Sequence, residues 1–351
     1  MALHPQEQII YWRVPSNIAL VKYWGKHGVQ LPQNPSLSFT LRESYTDMQL
    51  LYRPSDSGSR SIDFYFEGKP NEKFRAKIVQ FLESLPDDFA FTEGFHLTIK
   101  SLNSFPHSAG IASSASSMGA LAMCLATFAQ RQGVSLGSPE EVLRKASNWA
   151  RLASGSACRS IYGGYTVWGA TPELAGSSDL FAVQIEQQQI HPSFATFCDT
   201  ILIISGEEKA VSSRAGHALM NNHPFAAVRY EQARQHLSRL LKVLQNGDIE
   251  EFVQIVENEA LTLHGLMMNS NPSFILMKPD TLAVIDQLRK FRRDTRIPLT
   301  FTLDAGPNVH LLYPAVYQAE VHKFITDCLM SYCQENRYIH DGVGTGPQLF
   351  N

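Results

Sequence analysis

Residues 106–117 read Pro-His-Ser-Ala-Gly-Ile-Ala-Ser-Ser-Ala-Ser-Ser, and this run of small residues says most about the architecture. It leads directly into residues 118–129, in which apolar side chains recur with a helical period. The small residues therefore open a helix. Free backbone N–H groups and the positive end of the helix dipole meet there, and no bulky side chain blocks an approaching anion. The sequence predicts that a phosphate chain binds at this helix start.

The same residues also suit a plain helix cap or a tight packing surface, so composition alone leaves the ligand open. The stretch is not a Walker A loop, because no Gly-Lys-Ser or Gly-Lys-Thr ends it. It resembles the phosphate loop of the GHMP kinases, whose pattern Pro-x-x-x-Gly-Leu/Ile-x-Ser-Ser-Ala is filled at every position. This resemblance implies that the residues binding ATP are Asn103, Ser108, Ala109, Gly110, Ala112, Ser113 and Ser114.

Length and composition favour a two-domain cytoplasmic protein that binds small molecules. The 351 residues exceed the usual size of a single core, and the polar run at 187–192 places a boundary between domains 1–190 and 191–351. A net charge of −3 offers no basic field for nucleic acid. Five cysteines without a Cys-x-x-Cys pair predict neither disulfides nor a zinc site. Because no basic leader and no run of about 18 apolar residues occurs, we expect a soluble protein without a membrane partner.

Periodicity predicts a β-rich first half and a helix-rich second half. One helix start is clearly marked, because Ser138-Pro139-Glu140-Glu141 supplies an N-cap serine, proline at the first helical position and glutamate at the third. Strands are predicted at 9–14, 36–41, 48–52, 61–66, 95–101, 164–167, 181–186, 202–204, 298–303 and 309–313. Helices are predicted at 70–85, 118–129, 138–152, 209–221, 224–246, 248–268, 279–294 and 315–334.

Two stretches place cations in unusual surroundings. Residues 17–26, Asn-Ile-Ala-Leu-Val-Lys-Tyr-Trp-Gly-Lys, put Lys22 and Lys26 into a mostly apolar run, where a buried lysine is costly unless an anion pairs with it. The alternative is two surface lysines around a buried Tyr-Trp pair. Residues 153–160, Ala-Ser-Gly-Ser-Ala-Cys-Arg-Ser, combine small hydroxyl residues with Arg159, whose guanidinium can bind a carboxylate or a phosphate through two hydrogen bonds. The alternative is a helix-ending loop with a surface arginine.

Two further stretches contain turns. In residues 300–308, Thr-Phe-Thr-Leu-Asp-Ala-Gly-Pro-Asn, alternating strand residues end at Asp304 before a Gly-Pro turn. Such an aspartate is usually a turn former, but a rigid strand end can also aim a catalytic carboxylate. Residues 341–348, Asp-Gly-Val-Gly-Thr-Gly-Pro-Gln, taken alone predict only a turn.

All four stretches are similar to motifs of one GHMP family, the mevalonate diphosphate decarboxylases. The family segments Asn-Ile-Ala-x-x-Lys-Tyr-Trp-Gly-Lys, Ser-Gly-Ser-Ala-Cys-Arg-Ser, Phe-Asp-Ala-Gly-Pro-Asn and Gly-Ser/Thr-Gly-Pro-Gln stand here in the same order, with Leu303 in place of the phenylalanine. With the phosphate loop, the resemblance covers essentially the whole chain. It implies a homodimer with an α+β GHMP kinase fold, in which an N-terminal ribosomal-protein-S5-like α/β domain precedes a C-terminal ferredoxin-like α+β domain.

The resemblance also implies a reaction, the decarboxylation of mevalonate 5-diphosphate to isopentenyl diphosphate with ATP and Mg²⁺, through phosphorylation of the 3-hydroxyl. Asp304 would orient or deprotonate that hydroxyl, Lys22 would neutralise charge on it and on the transferring phosphoryl group, and Arg159 would hold the substrate carboxylate. No metal-ligating side chain is predicted. Substrate-binding residues implied in the same way are Tyr23, Trp24, Gly25, Lys26, Lys73, Ser154, Gly155, Ser156, Ala157, Cys158 and Arg159.

Two departures from the family pattern bear on the phosphorylated end of the substrate. Lys73 stands where the family usually has arginine after an Asn-Glu pair, and lysine is a point charge where arginine is a planar fork. The dipeptide His223-Pro224 stands where many members have Thr-Ser. These changes leave a mevalonate 5-phosphate decarboxylase open, beside another small-molecule GHMP kinase and a non-catalytic binding protein. The last two would be expected to lose part of the catalytic set or the serines of the loop.

Overall fold

The computed structural model describes residues 7–106, 113–207 and 213–350, which form an α+β structure around two main β-sheets. Its strands are β1 Gln8–Val21, β2 Lys26–His27, β3 Leu31–Pro32, β4 Ser36–Pro54, β5 Ser61–Phe66, β6 Lys69–Pro70, β7 Phe95–Asn103, β8 Tyr165–Trp168, β9 Ala182–Gln184, β10 Cys198–Leu202, β11 Thr300–Leu303, β12 Val309–Tyr313, β13 Tyr338–Gly342 and β14 Gln348–Phe350. Its helices are α1 Glu72–Glu83, α2 Ser113–Arg131, α3 Pro139–Ala153, α4 Pro192–Ala195, α5 Ser213–Ala218, α6 Ala226–Asn246, α7 Ile249–Met268, α8 Pro279–Thr295 and α9 Gln318–Phe324.

The larger sheet has the strand order β14-β1-β4-β7-β5-β6, and β8 and β9 extend it from β4. All its neighbouring strands pair antiparallel except β5 and β7, which are parallel. α2 packs on β1 and β4, and α3 packs on α2. The apolar face of α2 is thereby buried, as its period predicts, and its first turn lies beside the end of β7. Core residues between these layers include Ile10, Leu50, Leu97, Phe128 and Trp149.

The two central strands are longer than the sequence predicts. β4 runs without a break through both stretches predicted as separate strands, 36–41 and 48–52, and β1 continues past its predicted end at Val14. The sequence predicts shorter strands because Pro15 and the exposed pair Arg42-Glu43 are typical of strand ends. In the structure the register between β1 and β4 shifts just after Pro15, which absorbs the irregularity without ending either strand.

The smaller sheet has the strand order β11-β12-β10-β13 and is antiparallel throughout. α8 covers one face, where Leu288 and Phe301 are among the buried core residues. α6 and α7 pack against each other, and α7 contacts both β1 and β11. This helix pair therefore joins the two sheets through a shared hydrophobic cluster. Residues of that cluster include Ile18, Phe39, Leu240, Val256 and Leu312.

The long helices agree well with the sequence prediction. The bounds of α6, α7 and α8 lie within two residues of those predicted. The capping box at the start of α3 is confirmed, because the Glu141 N–H donates to Ser138 Oγ while the Glu141 carboxylate accepts from the Ser138 N–H. The helix predicted at 315–334 is shorter, since α9 ends at Phe324 and irregular turns continue to Tyr332. Part of the helix predicted at 209–221 lies outside the described residues.

Two short strands near the C-terminus are not predicted by the sequence. β13 contains the first two residues of the stretch that predicts only a turn, and β14 follows soon after it. β14 pairs with β1, so one of the last segments of the chain completes the sheet formed by the first half. The domain boundary near residue 190 stays a prediction. Within the described ranges, no helix combines the length and the apolar character needed to cross a bilayer.

Candidate active site

The first group of the candidate site is a buried lysine at the end of β1. The side chain of Lys22 is only 2% exposed, and its Nζ lies 3.5 Å from Asp304 Oδ1. Within the described part of the chain, this Nζ has no hydrogen-bond partner of good geometry. Burial lowers the pKa of Lys22, and the nearby carboxylates of Asp304 and Glu259 oppose that effect. The surface-lysine alternative is thus wrong for Lys22, which is buried beside a carboxylate.

Asp304 is the residue directly after β11. Its backbone carbonyl accepts a 2.7 Å hydrogen bond from the Gly306 N–H and a 3.1 Å hydrogen bond from His264 Nε2. The tight turn therefore uses the carbonyl of Asp304, while its side chain lies 24% exposed beside Lys22. Burial lowers the pKa of His264 to about 4, so this imidazole is a neutral donor at pH 7. The strand end thus holds one carboxylate in a fixed position at an opening.

Arg159 lies in the 3₁₀ helix Gly155–Ile161 that follows α3, and it is 3% exposed. Its Nε donates to Asn17 Oδ1 at 3.2 Å, and its Nη1 donates to Ser36 Oγ at 2.7 Å. No ion pair with a carboxylate is found for it among the described residues. Burial lowers its pKa, and the charge of Asp304 is one of the effects that oppose this. A buried guanidinium held by neutral oxygens has donors left for an anionic ligand.

Aromatic side chains pack against one another beside the charged groups of Lys22, Asp304 and Arg159. The Tyr23 ring centroid lies 4.2 Å from that of His217 and 4.6 Å from that of Trp168. The Tyr23 hydroxyl is buried and has no hydrogen-bond partner within the described residues. Gly25 follows with a φ of +94°, and a Cβ at this position would overlap the Tyr230 hydroxyl. Residues 23–25, singled out from the sequence as substrate-binding, therefore line one connected surface.

His217 of α5 is a site residue that the sequence analysis missed. It is buried between Tyr23 and Trp24, with ring centroid distances of 4.2 and 4.8 Å, and its Nδ1 accepts from the Gly25 N–H at 3.0 Å. Burial lowers its pKa to about 3, and the charges of Lys26 and Arg159 add to this effect. The imidazole is therefore neutral with its proton on Nε2. No local sequence signal marks His217, because the close packing of the neighbouring Gly216 against the Trp24 ring is visible only in the structure.

The small residues after α3 pack directly against Tyr23. A Cβ on Gly155 would lie 2.9 Å from the Tyr23 hydroxyl and 3.0 Å from the Trp168 ring, so the chain needs glycine there. Ala157 and Cys158 are fully buried, and Cys158 Sγ donates to the Gly155 carbonyl at 3.1 Å. Ser154 and Ser156 remain partly exposed.

The two predicted lysines at the phosphorylated end differ in their surroundings. Lys26 lies in β2, where its Nζ donates to Gln30 Oε1 at 2.8 Å. Its charge helps to lower the pKa of His217. Lys73 lies exposed in the first turn of α1. In the ranges that the structure describes, no hydrogen bond or ion pair joins Lys73 to the group around Lys22. The structure therefore places Lys26 next to His217 of the candidate site, and the substrate contact of Lys73 stays a prediction.

The structure describes two parts of the predicted nucleotide site, the end of β7 and the start of α2. The Thr46 hydroxyl donates to Asn103 Oδ1 at 2.8 Å, at the end of β7, and lies 2.7 Å from Ser116 Oγ in the first turn of α2. Asn103 Nδ2 is buried without a partner among described residues, so it is available to a ligand. Ser113 and Ser114 begin α2 and keep some exposure. The predicted loop residues outside the described ranges are Ser108, Ala109, Gly110 and Ala112.

The donor set fits a nucleotide better than a permanently bound metal. Among the residues described, no group of three His, Cys, Asp or Glu side chains could hold a metal ion. Mg²⁺ needs only one or two carboxylates when phosphate oxygens supply other ligands. The start of α2, the nearby Asn103 amide and the partly exposed Asp304 carboxylate therefore fit a magnesium–nucleotide complex.

Comparison with known proteins gives matches along the whole chain. The model of the diphosphomevalonate decarboxylase-like N-terminal domain matches residues 14–181, and that of the mevalonate 5-diphosphate decarboxylase C-terminal domain matches residues 200–348. The diphosphomevalonate decarboxylase of Eremothecium gossypii is 30% identical, over 89% of this chain and 79% of that protein. The diphosphomevalonate decarboxylase of Candida albicans is 28% identical, over 95% of this chain and 96% of that protein.

Solved structures agree with these matches. The mevalonate diphosphate decarboxylase from Staphylococcus aureus superposes with a TM-score of 0.82 at 27% identity, covering 98% of each chain. A complex of MDDEF with MVAPP, AMPPCP and magnesium gives a TM-score of 0.81 at 29% identity, covering 98% of this chain and 99% of that one. The α+β GHMP kinase fold predicted from the sequence is thereby confirmed.

Proposed function

The chain belongs to the diphosphomevalonate decarboxylase family, and on that basis we propose its reaction and the task of each site residue. The reaction is the ATP-dependent decarboxylation of mevalonate 5-diphosphate to isopentenyl diphosphate, ADP, phosphate and carbon dioxide, with Mg²⁺. The observation that carries the site assignment is the Lys22–Asp304 pair at 3.5 Å, with the buried Arg159 close by.

The chemistry explains why a carboxylate and two cations are needed. Hydroxide is a poor leaving group, so the 3-hydroxyl loses its proton and its oxygen takes a phosphoryl group, which ATP supplies. The C3–O bond then breaks, and its electron pair leaves with phosphate. The C1–C2 bond breaks, carbon dioxide departs, and the electron pair left at C2 forms the C2–C3 double bond. Charge therefore builds up on oxygen atoms at C3, next to a carboxylate that must stay in place.

Asp304 and Lys22 act on the oxygen at C3. The Asp304 carboxylate is aimed by a rigid strand end and is partly exposed, so it can accept the hydroxyl proton through a direct hydrogen bond. The ammonium of Lys22 lies beside it, and both Asp304 and Glu259 favour its protonated form against burial. A buried ammonium group neutralises developing negative charge more strongly than one in water.

Arg159 holds the carboxylate that becomes carbon dioxide. Its guanidinium donates to the neutral side-chain oxygens of Asn17 and Ser36, which fix it without neutralising it. An arginine with free donors can bind a planar carboxylate through two parallel hydrogen bonds. Arg159 therefore keeps the substrate carboxylate in one orientation while the C1–C2 bond breaks.

The aromatic residues around Tyr23 and the small residues after α3 bind the phosphorylated end of the substrate. Tyr23 has a buried hydroxyl without a hydrogen-bond partner among the described residues, Lys26 supplies a positive charge, and Ser154 and Ser156 are partly exposed hydroxyl donors. Lys73 remains a proposed contact that would act from outside this group. The residues that shape the pocket by packing are Trp24, Gly25, Gly155, Ala157 and Cys158.

ATP is held at the start of α2. Asn103 offers its amide, which has no partner in the described ranges, and Ser113 and Ser114 offer hydroxyls and backbone N–H groups next to the positive helix end. These residues bind and orient the phosphates so that the transferred group meets the oxygen at C3.

A substrate comparison tests the reaction. Purified protein with ATP and Mg²⁺ is given mevalonate 5-diphosphate or mevalonate 5-phosphate, and carbon dioxide release is measured for each. We expect release from the diphosphate at a rate well above that from the monophosphate. Release only from the monophosphate would contradict the substrate assignment, and ADP release without carbon dioxide would make the protein a kinase.

We further propose that the protein works as a homodimer in the cytoplasm and that its domains meet near residue 190. The family resemblance supports all three statements. Light scattering after size-exclusion chromatography tests the first, and a single-chain mass would contradict it.

A further inference from the structure

Side chains from α6 and α7 hold the backbone of Lys22 on both sides. The Lys22 N–H donates to Glu259 Oε2 at 2.8 Å. The Lys22 carbonyl accepts from Arg229 Nη2 at 3.2 Å and from Asn34 Nδ2 at 3.1 Å. Glu259 and Arg229 belong to the second half of the chain, so this half fixes a residue of the first half.

The two side chains that hold Lys22 are also paired with each other. Arg229 donates to both carboxylate oxygens of Glu259, at 2.7 and 2.5 Å, and His236 Nδ1 lies 2.6 Å from Oε1. The side chains of Arg229 and Glu259 are 1% and 0% exposed. Burial by itself raises the pKa of Glu259, but Arg229 and His236 lower it to about 2, so the carboxylate is ionised. A buried ion pair is often no more stabilising than apolar residues of the same volume, so this one calls for another role.

We propose that Glu259 and Arg229 are positioning residues for catalysis, which fix the Lys22 peptide so that its ammonium faces Asp304 and the reacting oxygen. The inference rests on the catalytic role proposed above for Lys22. It follows from geometry, because a long side chain ends at a defined point only if its backbone is fixed. Displacing a reacting group by about 1 Å can lower a rate by about 100-fold.

The charge of Glu259 has a second effect on Lys22. Burial lowers the pKa of Lys22, while Asp304 and Glu259 raise it and Arg159 lowers it further. At longer range, Lys22 also interacts electrostatically with His264 of α7 and Asp199 of β10. Removing the charge of Glu259 therefore favours loss of the Lys22 proton at a lower pH.

The test compares Glu259→Gln with a matched change between the same two helices. Glu259→Gln keeps the size and an acceptor oxygen but removes the charge, so we expect kcat to fall at least tenfold and the KM values to change less than threefold. The alkaline limb of the pH–kcat profile should move to lower pH. Glu251→Gln is the control, because it removes the exposed Arg239–Glu251 ion pair of 2.7 Å between α6 and α7 and should leave kcat unchanged.

A conservative variant separates charge from position. Glu259→Asp keeps the charge on a shorter side chain, so we expect a lower kcat with the alkaline limb where the unmodified protein has it. A role in packing alone would lower stability in both Glu259 variants without moving that limb. If Glu259→Gln keeps kcat within twofold at every pH, the proposal is overturned.

A double variant covers the case in which Glu259→Gln leaves Arg229 unpaired and fails to fold. Glu259→Gln with Arg229→Gln removes both charges, and a folded double variant should still have a low kcat. Recovery of full kcat would show that only charge balance mattered and would overturn the proposal. Lys22→Met separates the two levels of inference, because an active Lys22→Met variant rejects the catalytic role of Lys22 itself.

Discussion

The three side chains proposed to act in the reaction lie close together although they come from distant parts of the chain. Lys22 directly follows β1, Arg159 lies in the 3₁₀ helix after α3, and Asp304 directly follows β11. The carboxylate is shared between two buried cations, of which only Lys22 forms an ion pair with it. Excess positive charge in a buried site costs free energy unless an anion enters. This excess of positive charge supports the proposal that an anionic substrate binds here.

Asp304→Asn separates catalysis from binding. Asparagine keeps the shape and is an equally good turn residue, but it cannot accept the hydroxyl proton. We expect the variant to bind ATP and substrate while the rates of ADP and carbon dioxide release fall by about 10²- to 10⁴-fold. Single-turnover assays of both products measure this.

The control for Asp304→Asn is another aspartate with a purely local task. Asp248 is the N-cap of α7, where its Oδ1 accepts from the Glu251 N–H at 3.0 Å, and Asp248→Asn should leave turnover intact. Near-normal rates in a folded Asp304→Asn protein would reject the proposed mechanism. ADP without carbon dioxide would place the need for Asp304 after phosphoryl transfer.

Local sequence patterns point to the charged residues of the candidate site but not to the residues that hold them in place. Lys22 was noticed because a lysine in an apolar run needs an anion, and the structure provides Asp304. Glu259 was not noticed, because its contact with the Lys22 backbone joins residues 237 positions apart. The same holds for His217, whose contact with Gly25 joins residues 192 positions apart. No periodicity or motif within one segment reports such contacts.

At the scale of elements, the apolar period of a helix predicts its bounds better than residues such as proline predict where a strand ends. α2 and α3 have apolar faces and start signals that lie within the element itself, so their existence follows from nearby residues. β1 and β4 continue through residues that usually end strands, because each is paired along its length with the other. β14 exists only because β1 offers an edge, which its own sequence cannot show.

The start of α2 can be tested without touching its buried face. Ser113→Val with Ser114→Val places branched side chains where phosphates would approach the helix end. We expect the affinity for ATP to fall at least tenfold, which is about 1.4 kcal/mol, while the fold survives because the apolar face from Met118 onward is unchanged. Calorimetry measures this affinity.

Gln130→Val is the matched control for the helix. It introduces the same β-branched residue at an exposed position near the other end of α2 and should leave ATP affinity unchanged. An unaltered affinity in the double serine variant would remove the phosphate-binding assignment.

At the scale of the whole molecule, the site exists only where the two sheets are joined. Lys22 and Arg159 are carried by the first half of the chain, and Asp304 and Glu259 by the second. α6 and α7 supply both the hydrophobic cluster that joins the sheets and the side chains that hold Lys22. The same packing therefore joins the two sheets and, on the proposal above, also fixes the geometry of the candidate site.

A second polar contact joins the halves away from the site. Asp341 of β13 is 3% exposed, and its Oδ1 accepts from the N–H groups of Arg42, Glu43 and Gly342 at 2.7, 2.9 and 2.7 Å. The first two donors lie in β4 of the larger sheet, next to the isolated bridge between Leu41 and Val343. A single buried oxygen thus satisfies backbone groups that the bend of β4 leaves unpaired.

Asp341→Ala should therefore destabilise the whole molecule. The buried Gly342 N–H and the part-buried N–H groups of Arg42 and Glu43 lose their acceptor. An unsatisfied buried donor costs about 1–3 kcal/mol, and the part-buried groups cost less because water can reach them, so we expect the free energy of unfolding to fall by about 2 kcal/mol. Urea denaturation followed by circular dichroism measures this. Asp327→Ala is the control, because it removes only the exposed Lys323–Asp327 pair on α9 and the following turn and should cost less than about 0.5 kcal/mol. Equal losses in the two variants would show that the Asp341 contact does not join the halves, whereas a second unfolding transition in Asp341→Ala alone would show that it couples them.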